Sequence, residues 1–140
     1  MRYLGLDLGT TSLGLAITDK TNTLATPLKV LKFPKEEYAS VLDELAEIIN
    51  HYNITDIVLG LPKNMDNSLG FAAQRSLDFG KMLEKYHKNI HYYDERLSTV
   101  EAMNILKTTG NKNIKQKKVI DAVSASIILE SYMKGQKNEK

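Results

Sequence analysis

The sequence predicts an α/β domain with a mixed sheet and helices on both faces. Three strand-like runs come first, separated by short turns, an order typical of antiparallel hairpins. Two further strand-like runs alternate with segments whose apolar residues recur at helical spacing. Because strand, helix, strand successions imply parallel crossovers, the two parts together predict one five-stranded mixed sheet.

The predicted strands are short apolar runs bounded by turn-forming residues. They cover residues 3–8, 13–19, 24–33, 56–60 and 90–93. Pro27 weakens the start of the third strand, since proline cannot donate to a sheet ladder. Residues 61–70 are rich in turn formers and predict a loop.

Helical spacing and one capping signal predict four helices. Apolar spacing places helices over residues 36–52, 71–86 and about 115–133. Ser98 and Glu101 have the spacing of a capping box, which predicts a further helix from Ser98 to about Lys107. We expect one domain over residues 1–140, with the tail from about residue 134 frayed.

Composition excludes several classes of protein. The chain has 140 residues, enough for one buried core, and 42% of them are hydrophobic. It has no cysteine, so disulfides and thiolate metal sites are excluded. No apolar run could span a membrane, and Met1-Arg2 leads straight into a strand-like run without a signal-peptide core. We therefore expect a cytoplasmic protein with no membrane partner.

Local charge is more informative than the net charge of +2. Residues 107–118 contain five lysines and no acidic residue, and could contact nucleic-acid phosphates. The lysines are Lys107, Lys112, Lys115, Lys117 and Lys118. Taken alone, the segment is better explained as a solvated loop.

Two acidic residues lie at the ends of predicted strands. Asp7 lies near the end of the first strand, on the face of Tyr3 and Gly5, and the next strand offers the small residues Gly14 and Ala16. Such a carboxylate has room for ions and substrate, although hydrogen bonds from the following turn explain it equally well. Glu95 follows the last strand, and an exposed charge cluster is its alternative explanation.

Asp121 is the most informative acidic residue. It shares a helical stripe with Ser124, Ala125, Ile128 and Tyr132, which predicts that it faces the sheet. A charge there is costly unless it is paired or bound to a metal. A helix-capping role explains it less well, because the helical pattern begins before Asp121.

If the fold brings Asp7, Glu95 and Asp121 together, their repulsion requires cations. Oxygen ligands suit Mg²⁺ or Mn²⁺, and two such ions can assist phosphodiester cleavage. The three histidines, His51, His87 and His91, lack zinc-ligand spacing and predict structural or surface roles.

Four segments resemble, in order, the YqgF/RuvX-type family of Holliday-junction resolvases, also described as nucleases that process the 5′ end of pre-16S ribosomal RNA. They are LGLDLGTTSLGLAITD (residues 4–19), IVLGLPKNMDNSLG (57–70), DERLSTVEA (94–102) and KKVIDAVSASIILESY (117–132). The resemblance implies a ribonuclease H-like fold of five strands, the first three antiparallel. It also implies that Asp7, Glu95 and Asp121 form a catalytic metal site. The substrate stays open between an rRNA precursor and branched DNA, as does the oligomeric state.

Basic residues near the predicted loop suggest where nucleic acid binds. Lys63 and Arg75 bracket residues 61–70, and Arg96 adjoins Glu95. Loops beyond the ends of parallel strands commonly form sites, so we expect these side chains to position phosphates, together with Lys112, Lys115, Lys117 and Lys118. For Arg96, pairing with Asp94 is a serious alternative.

Two other functions compete with a nuclease. One is an RNA-binding ribosome-assembly factor without essential cutting activity. The other is an ATPase or sugar kinase, since residues 7–11 (DLGTT) resemble the phosphate-binding hairpin of actin and Hsp70 proteins. Those proteins need two such domains, and 140 residues supply one.

Overall fold

Five strands form one mixed sheet in the part of the chain that the computed structural model describes, residues 2–97 and 114–138. The strands are β1 (Tyr3–Leu8), β2 (Ser12–Thr18), β3 (Ala25–Lys32), β4 (Asp56–Leu61) and β5 (Asn89–Asp94). Their order across the sheet is β3-β2-β1-β4-β5. β1, β2 and β3 pair antiparallel, whereas β1, β4 and β5 run parallel. The predicted fold class and the five strands are confirmed.

Three α-helices accompany the sheet within the same residues. They are α1 (Leu42–His51), α2 (Phe71–Leu83) and α3 (Ile114–Asn138). Short 3₁₀ turns precede α1 (Tyr38–Val41), follow α2 (Glu84–Tyr86) and follow β5 (Glu95–Leu97). Pro27 lies in β3, an edge strand, where a missing donor is tolerated.

The first helix begins later than predicted. Glu36 has a left-handed backbone (φ 63°), and its N–H donates to the carbonyl of Thr10 at 2.9 Å. Glu37 donates to the carbonyl of Pro34 in a tight turn. Residues 34–37 are therefore bound to the β1–β2 turn, and helical structure begins only at Tyr38.

The two faces of the sheet bury different helices. Leu4, Leu6 and Leu8 point to the face covered by α1 and α2, where the larger hydrophobic core lies. Gly5 and Asp7 point to the other face, which α3 covers. The predicted alternation along β1 is thus confirmed, and Asp7 lies on the α3 side.

The predicted end of the last helix near Met133 is too early, because α3 continues to Asn138 through most of the expected frayed tail. Its start at Ile114 agrees with the predicted start at about residue 115, so residues 114–118 of the basic segment are helical. The predicted helix from Ser98 to Lys107, and Lys112, lie outside the described residues. Within residues 2–97 and 114–138, no helix combines the length and apolar character that crossing a bilayer requires.

Candidate active site

Three acidic side chains meet at the edge of the sheet where the parallel strands end. β1 and β5 both pair in parallel register with β4, so the residues that follow the three strands lie side by side. A cavity of about 180 Å³ opens there. Its lining residues are Asp7, Leu8, Gly9, Ser12, Pro62, Ala72, Glu95 and Asp121. The structure therefore places Asp7, Glu95 and Asp121 on one cavity wall.

Gly14 brings Asp121 to Asp7. Gly14 pairs with Asp7 across β1 and β2, and a Cβ added to Gly14 would overlap the backbone carbonyl of Asp121. The prediction that small residues beside Asp7 leave room for ions is therefore wrong at this position. Gly14 instead admits the backbone of α3, and this close approach sets Asp121 beside the end of β1.

Asp121 is half-buried and tied to the β1–β2 hairpin. The Ser12 hydroxyl donates to its Oδ2 at 3.0 Å. Ser124, Ala125 and Ile128 on the same stripe are fully buried, which confirms the inward face of the helix. Because α3 begins at Ile114, about two turns earlier, capping of this helix does not explain Asp121.

Glu95 is the most buried of the three carboxylates, with 6% of its surface exposed. It begins the 3₁₀ turn after β5, and its side chain lies over the glycine of β4. A Cβ added to Gly60 would lie 3.0 Å from Glu95 Oε2 and 2.7 Å from Ile128 Cδ1. Glu95 therefore does not belong to an exposed charge cluster, and Gly60 provides the space for its carboxylate.

Sequence reasoning missed Gly60 and Ser12. The signal for Gly60 was a glycine inside an apolar strand run, DIVLGL, which often marks a close approach. Ser12 had no distinguishing signal, since it is one of several hydroxyl residues in the β1–β2 turn, and its partner lies 109 positions away.

The donor chemistry of the cavity fits a hard divalent cation. Carboxylate oxygens are the ligands that Mg²⁺ and Mn²⁺ prefer. In the described part of the chain, no three His, Cys, Asp or Glu side chains are placed to hold one ion by themselves. An ion such as Mg²⁺ commonly keeps several waters and uses only one or two carboxylates with substrate phosphates, so an open cavity suits it better than a closed cage.

None of the three basic residues near the loop lines the cavity. Lys63 is half-buried next to the cavity residue Pro62, and its charge helps to lower the pKa of Asp94. Arg75 is half-buried on α2. Burial raises the pKa of the nearby Tyr38 hydroxyl, and the charge of Arg75 acts against this rise. Arg96 pairs with Asp94, as its alternative explanation proposed.

The structure describes only some of the basic residues near α3. Lys115, Lys117 and Lys118 lie in its first turns, where the structure describes the backbone. Phosphate contacts by these lysines and by Lys112 remain predictions.

A second buried carboxylate lies at the opposite edge of the sheet. Asp56 at the start of β4 is 4% exposed. It accepts hydrogen bonds from His91 Nε2 (2.9 Å), Asn89 Nδ2 (3.1 Å) and the Thr55 hydroxyl (2.6 Å). Burial alone would raise the pKa of Asp56, but these bonds outweigh it and hold the pKa below its ordinary value.

The histidines have the structural or surface positions that the sequence predicted. His91 bonds Asp56 and packs against the rings of Tyr3 and Tyr132. His51 is exposed and stacks edge-on against Tyr52, and His87 ends the turn after α2 with a left-handed backbone.

A family model described as "RuvX: Holliday junction resolvase" matches residues 1–135. The chain belongs to the RuvX family. A relative from Lactobacillus gasseri, named "Putative pre-16S rRNA nuclease", is 38% identical, and the alignment covers 100% of both chains. A relative of the same name from Onion yellows phytoplasma is 42% identical over 93% of this chain and 87% of its own.

Solved structures show that RuvX shares a fold with RuvC. Thermus thermophilus RuvC in complex with a Holliday junction substrate superposes with a TM-score of 0.61, at 14% identity, over 97% of this chain and 96% of RuvC. A ROK family protein from Streptococcus pneumoniae matches with a TM-score of 0.51 at 17% identity, but this chain covers only 39% of it. Together with the observed strand order, the likeness to RuvC establishes the ribonuclease H-like fold.

Proposed function

We propose that this RuvX protein is a divalent-metal-dependent nuclease that hydrolyses phosphodiester bonds, with Asp7, Glu95 and Asp121 as the metal-holding catalytic residues. The observation that carries the proposal is their shared cavity at the carboxyl edge of the sheet. Three carboxylates that line one cavity repel one another, and a bound cation would offset that repulsion. Nucleases of this fold generally use divalent metal ions, and we propose Mg²⁺ or Mn²⁺, with two ions bound during cleavage.

The protein's own groups would hold and orient the reacting components. Asp7 and Glu95 present oxygens from the ends of β1 and β5, and Asp121 completes the cavity from α3. The Ser12 hydroxyl fixes the orientation of the Asp121 carboxylate. When bound, divalent ions would supply activation of a water and stabilisation of the leaving oxygen.

An rRNA precursor is the substrate that we propose first. Relatives of 38% and 42% identity carry a name that specifies pre-16S rRNA. The RuvC complex with a Holliday junction is only 14% identical and supports the fold alone. The family description still names junction resolution, so branched DNA is the second candidate. We also propose a cytoplasmic location, which is compatible with either substrate.

We propose that basic residues close in sequence to the cavity residues position phosphates. Lys63 follows the cavity residue Pro62, and the lysines at the start of α3 precede Asp121 on the same helix. Each phosphate contact releases counterions, so binding affinity should fall as salt rises. In a plot of the logarithm of the affinity against the logarithm of the salt concentration, each contact should add about 0.7 to 0.9 to the steepness of the slope. Replacing Lys112, Lys115 and Lys117 together with Gln should flatten that slope by about two to three units.

The direct test is cleavage of a matched panel of pre-16S rRNA, four-way DNA junctions and plain duplexes, in Mg²⁺ and in Mn²⁺. We expect metal-dependent cutting of the rRNA precursor and none by Asp7→Asn. A folded wild-type protein that cuts nothing but binds the precursor would instead support an RNA-binding assembly factor. ATP binding by the isolated protein would support the kinase-like alternative.

A further inference from the structure

Arg96 joins two segments that both border the cavity. Arg96 follows Glu95 in the 3₁₀ turn after β5. Its side chain extends to the loop after β4, residues 62–70. Nη1 donates to the backbone carbonyl of Asn64 at 2.9 Å and to that of Met65 at 3.4 Å. Nη2 donates to the side-chain oxygen of Asn67 at 2.7 Å. Pro62, at the base of this loop, lines the cavity with Glu95.

The other side of the guanidinium is held by Asp94. Nε donates to both carboxylate oxygens of Asp94, at 2.9 and 3.1 Å, and Nη2 donates to Oδ2 at 2.6 Å. The backbone N–H of Arg96 also donates to Asp94 Oδ1 at 3.0 Å.

These contacts leave no N–H of Arg96 for a phosphate. A guanidinium has five N–H donors, one on Nε and two on each Nη. Nε is bonded to Asp94, Nη2 to Asp94 and Asn67, and Nη1 to two backbone carbonyls of the loop. Its charge is compensated by Asp94 in the same pair, and 23% of the side chain is exposed.

The loop has a defined shape that Arg96 completes. Asn64 and Ser68 close it with a backbone hydrogen bond of 3.0 Å and a side-chain bond of 2.9 Å. Asn67 holds a left-handed backbone (φ 73°), which turns the chain so that its side chain and the carbonyl of Asn64 both bond Arg96. The planar donor set of arginine fills this ring of acceptors, and a lysine ammonium with three donors cannot reproduce it.

We propose that Arg96 is a positioning residue rather than a phosphate-binding residue: it fixes the loop of residues 62–70 against the turn that carries Glu95. The loop wall and the Glu95 carboxylate then form one unit beside the cavity. The expected effect of Arg96 on cleavage rests on the proposed function, whereas its effect on the loop does not. It replaces the sequence-based assignment of Arg96 to phosphate binding.

The experiment compares Arg96→Lys and Arg96→Ala with the wild-type protein. Lys63→Ala is the matched control, because it removes a cationic side chain that is proposed to contact a phosphate. Single-turnover cleavage of the rRNA precursor gives the rate at saturation. Binding affinity against salt, measured in Ca²⁺, counts phosphate contacts. Hydrogen exchange of residues 62–70 in the protein alone reports whether the loop is held.

We expect both Arg96 variants to lose about 10- to 100-fold in the saturating rate, as outer residues that orient metal ligands commonly do. Arg96→Lys should behave like Arg96→Ala, because it keeps the charge but not the donor geometry. Both should exchange faster in the loop and keep the wild-type salt slope, whereas Lys63→Ala should lower the slope by about one contact.

A phosphate-binding role would give a different result and overturn the proposal: Arg96→Lys would retain the full cleavage rate, and the salt slope of Arg96→Ala would fall by one contact. Unchanged loop exchange in both variants would also overturn it. If Arg96→Ala fails to fold, Arg96→Lys and Asn67→Gly apply the same criteria, since glycine removes the side-chain acceptor and tolerates the left-handed backbone at this position. If the wild-type protein cuts no substrate, the proposed function fails, while loop exchange still decides the role of Arg96.

Discussion

The two ends of the β4–β5 strand pair each carry a buried carboxylate, and the two lie in different surroundings. Asp56 begins β4 and is 4% exposed, while Glu95 follows β5 and is 6% exposed. Donors from His91, Asn89 and Thr55 surround Asp56. Glu95 shares its cavity with two further carboxylates, Asp7 and Asp121.

Burial of a charge is therefore not by itself a sign of function in this fold. At Asp56 the protein's own donors compensate the charge, and the residue serves the structure. Glu95 lines a cavity with two further carboxylates, and like charges that share a cavity favour a bound cation. This difference between the two ends is one reason to propose the carboxyl edge as the functional one.

The largest expected effect is loss of cleavage at the carboxyl edge. Asp7→Asn and Glu95→Gln should each lower the single-turnover rate at least about 100-fold, because both remove a proposed metal ligand. Relief of like-charge repulsion should leave the melting temperature unchanged or raise it. Cleavage assays and thermal unfolding of both variants test this. An unfolded Asp7→Asn would show that Asp7 is structural.

Asp56→Asn should show the reverse pattern. An amide offers one acceptor oxygen where the carboxylate offers two, so at least one of the three donors loses its partner. A buried unsatisfied donor costs about 1–3 kcal/mol of unfolding free energy. Urea unfolding measures the loss, and cleavage per folded molecule should stay at the wild-type level. A large drop in that rate would erase the distinction between the two ends.

A smaller effect is expected at Ser12, which orients Asp121. Ser12→Ala removes the 3.0 Å hydrogen bond and should lower the cleavage rate or the metal affinity about tenfold. Ser40→Ala is the matched control, because Ser40 is exposed and its hydroxyl donates to the carbonyl of Glu37, away from the cavity residues. Equal rates for the two variants would remove Ser12 from the site.

The smallest expected effect is the contribution of Asp56 to the pH dependence of the unfolding free energy. Because the folded pKa of Asp56 is lowered, its stabilisation is present above the unfolded value of about 3.9 and is lost as pH falls through the folded pKa. The stability gap between wild type and Asp56→Asn should therefore be full above about pH 4 to 5 and shrink in stronger acid. A gap that is constant down to pH 2 would contradict this assignment.

Much of this architecture could be predicted from local sequence patterns. Alternation along β1 placed Leu4 and Asp7 on opposite faces, and the stripe from Asp121 to Tyr132 gave the inward face of α3. Such patterns are local because side chains repeat with the period of the strand or the helix. The ribonuclease H-like fold and the RuvX family followed from motifs spread along the chain.

What the sequence could not predict depends on contacts between distant segments. Gly14 was expected to leave space for ions, but the backbone of α3, more than a hundred positions away, occupies that space. Arg96 was assigned to phosphates because nothing local shows that residues 64–67 surround its guanidinium. Glu36 was placed in a helix because its hydrogen bond to Thr10 is equally invisible in the sequence.

The most direct test of the central claim is anomalous diffraction from crystals of the protein soaked in Mn²⁺. We predict Mn²⁺ in the cavity bordered by Asp7, Glu95 and Asp121, absent from Asp7→Asn crystals and retained in Asp56→Asn crystals. Mn²⁺ that stays in the cavity of Asp7→Asn at full occupancy, or that binds only elsewhere in the wild-type protein, would contradict it.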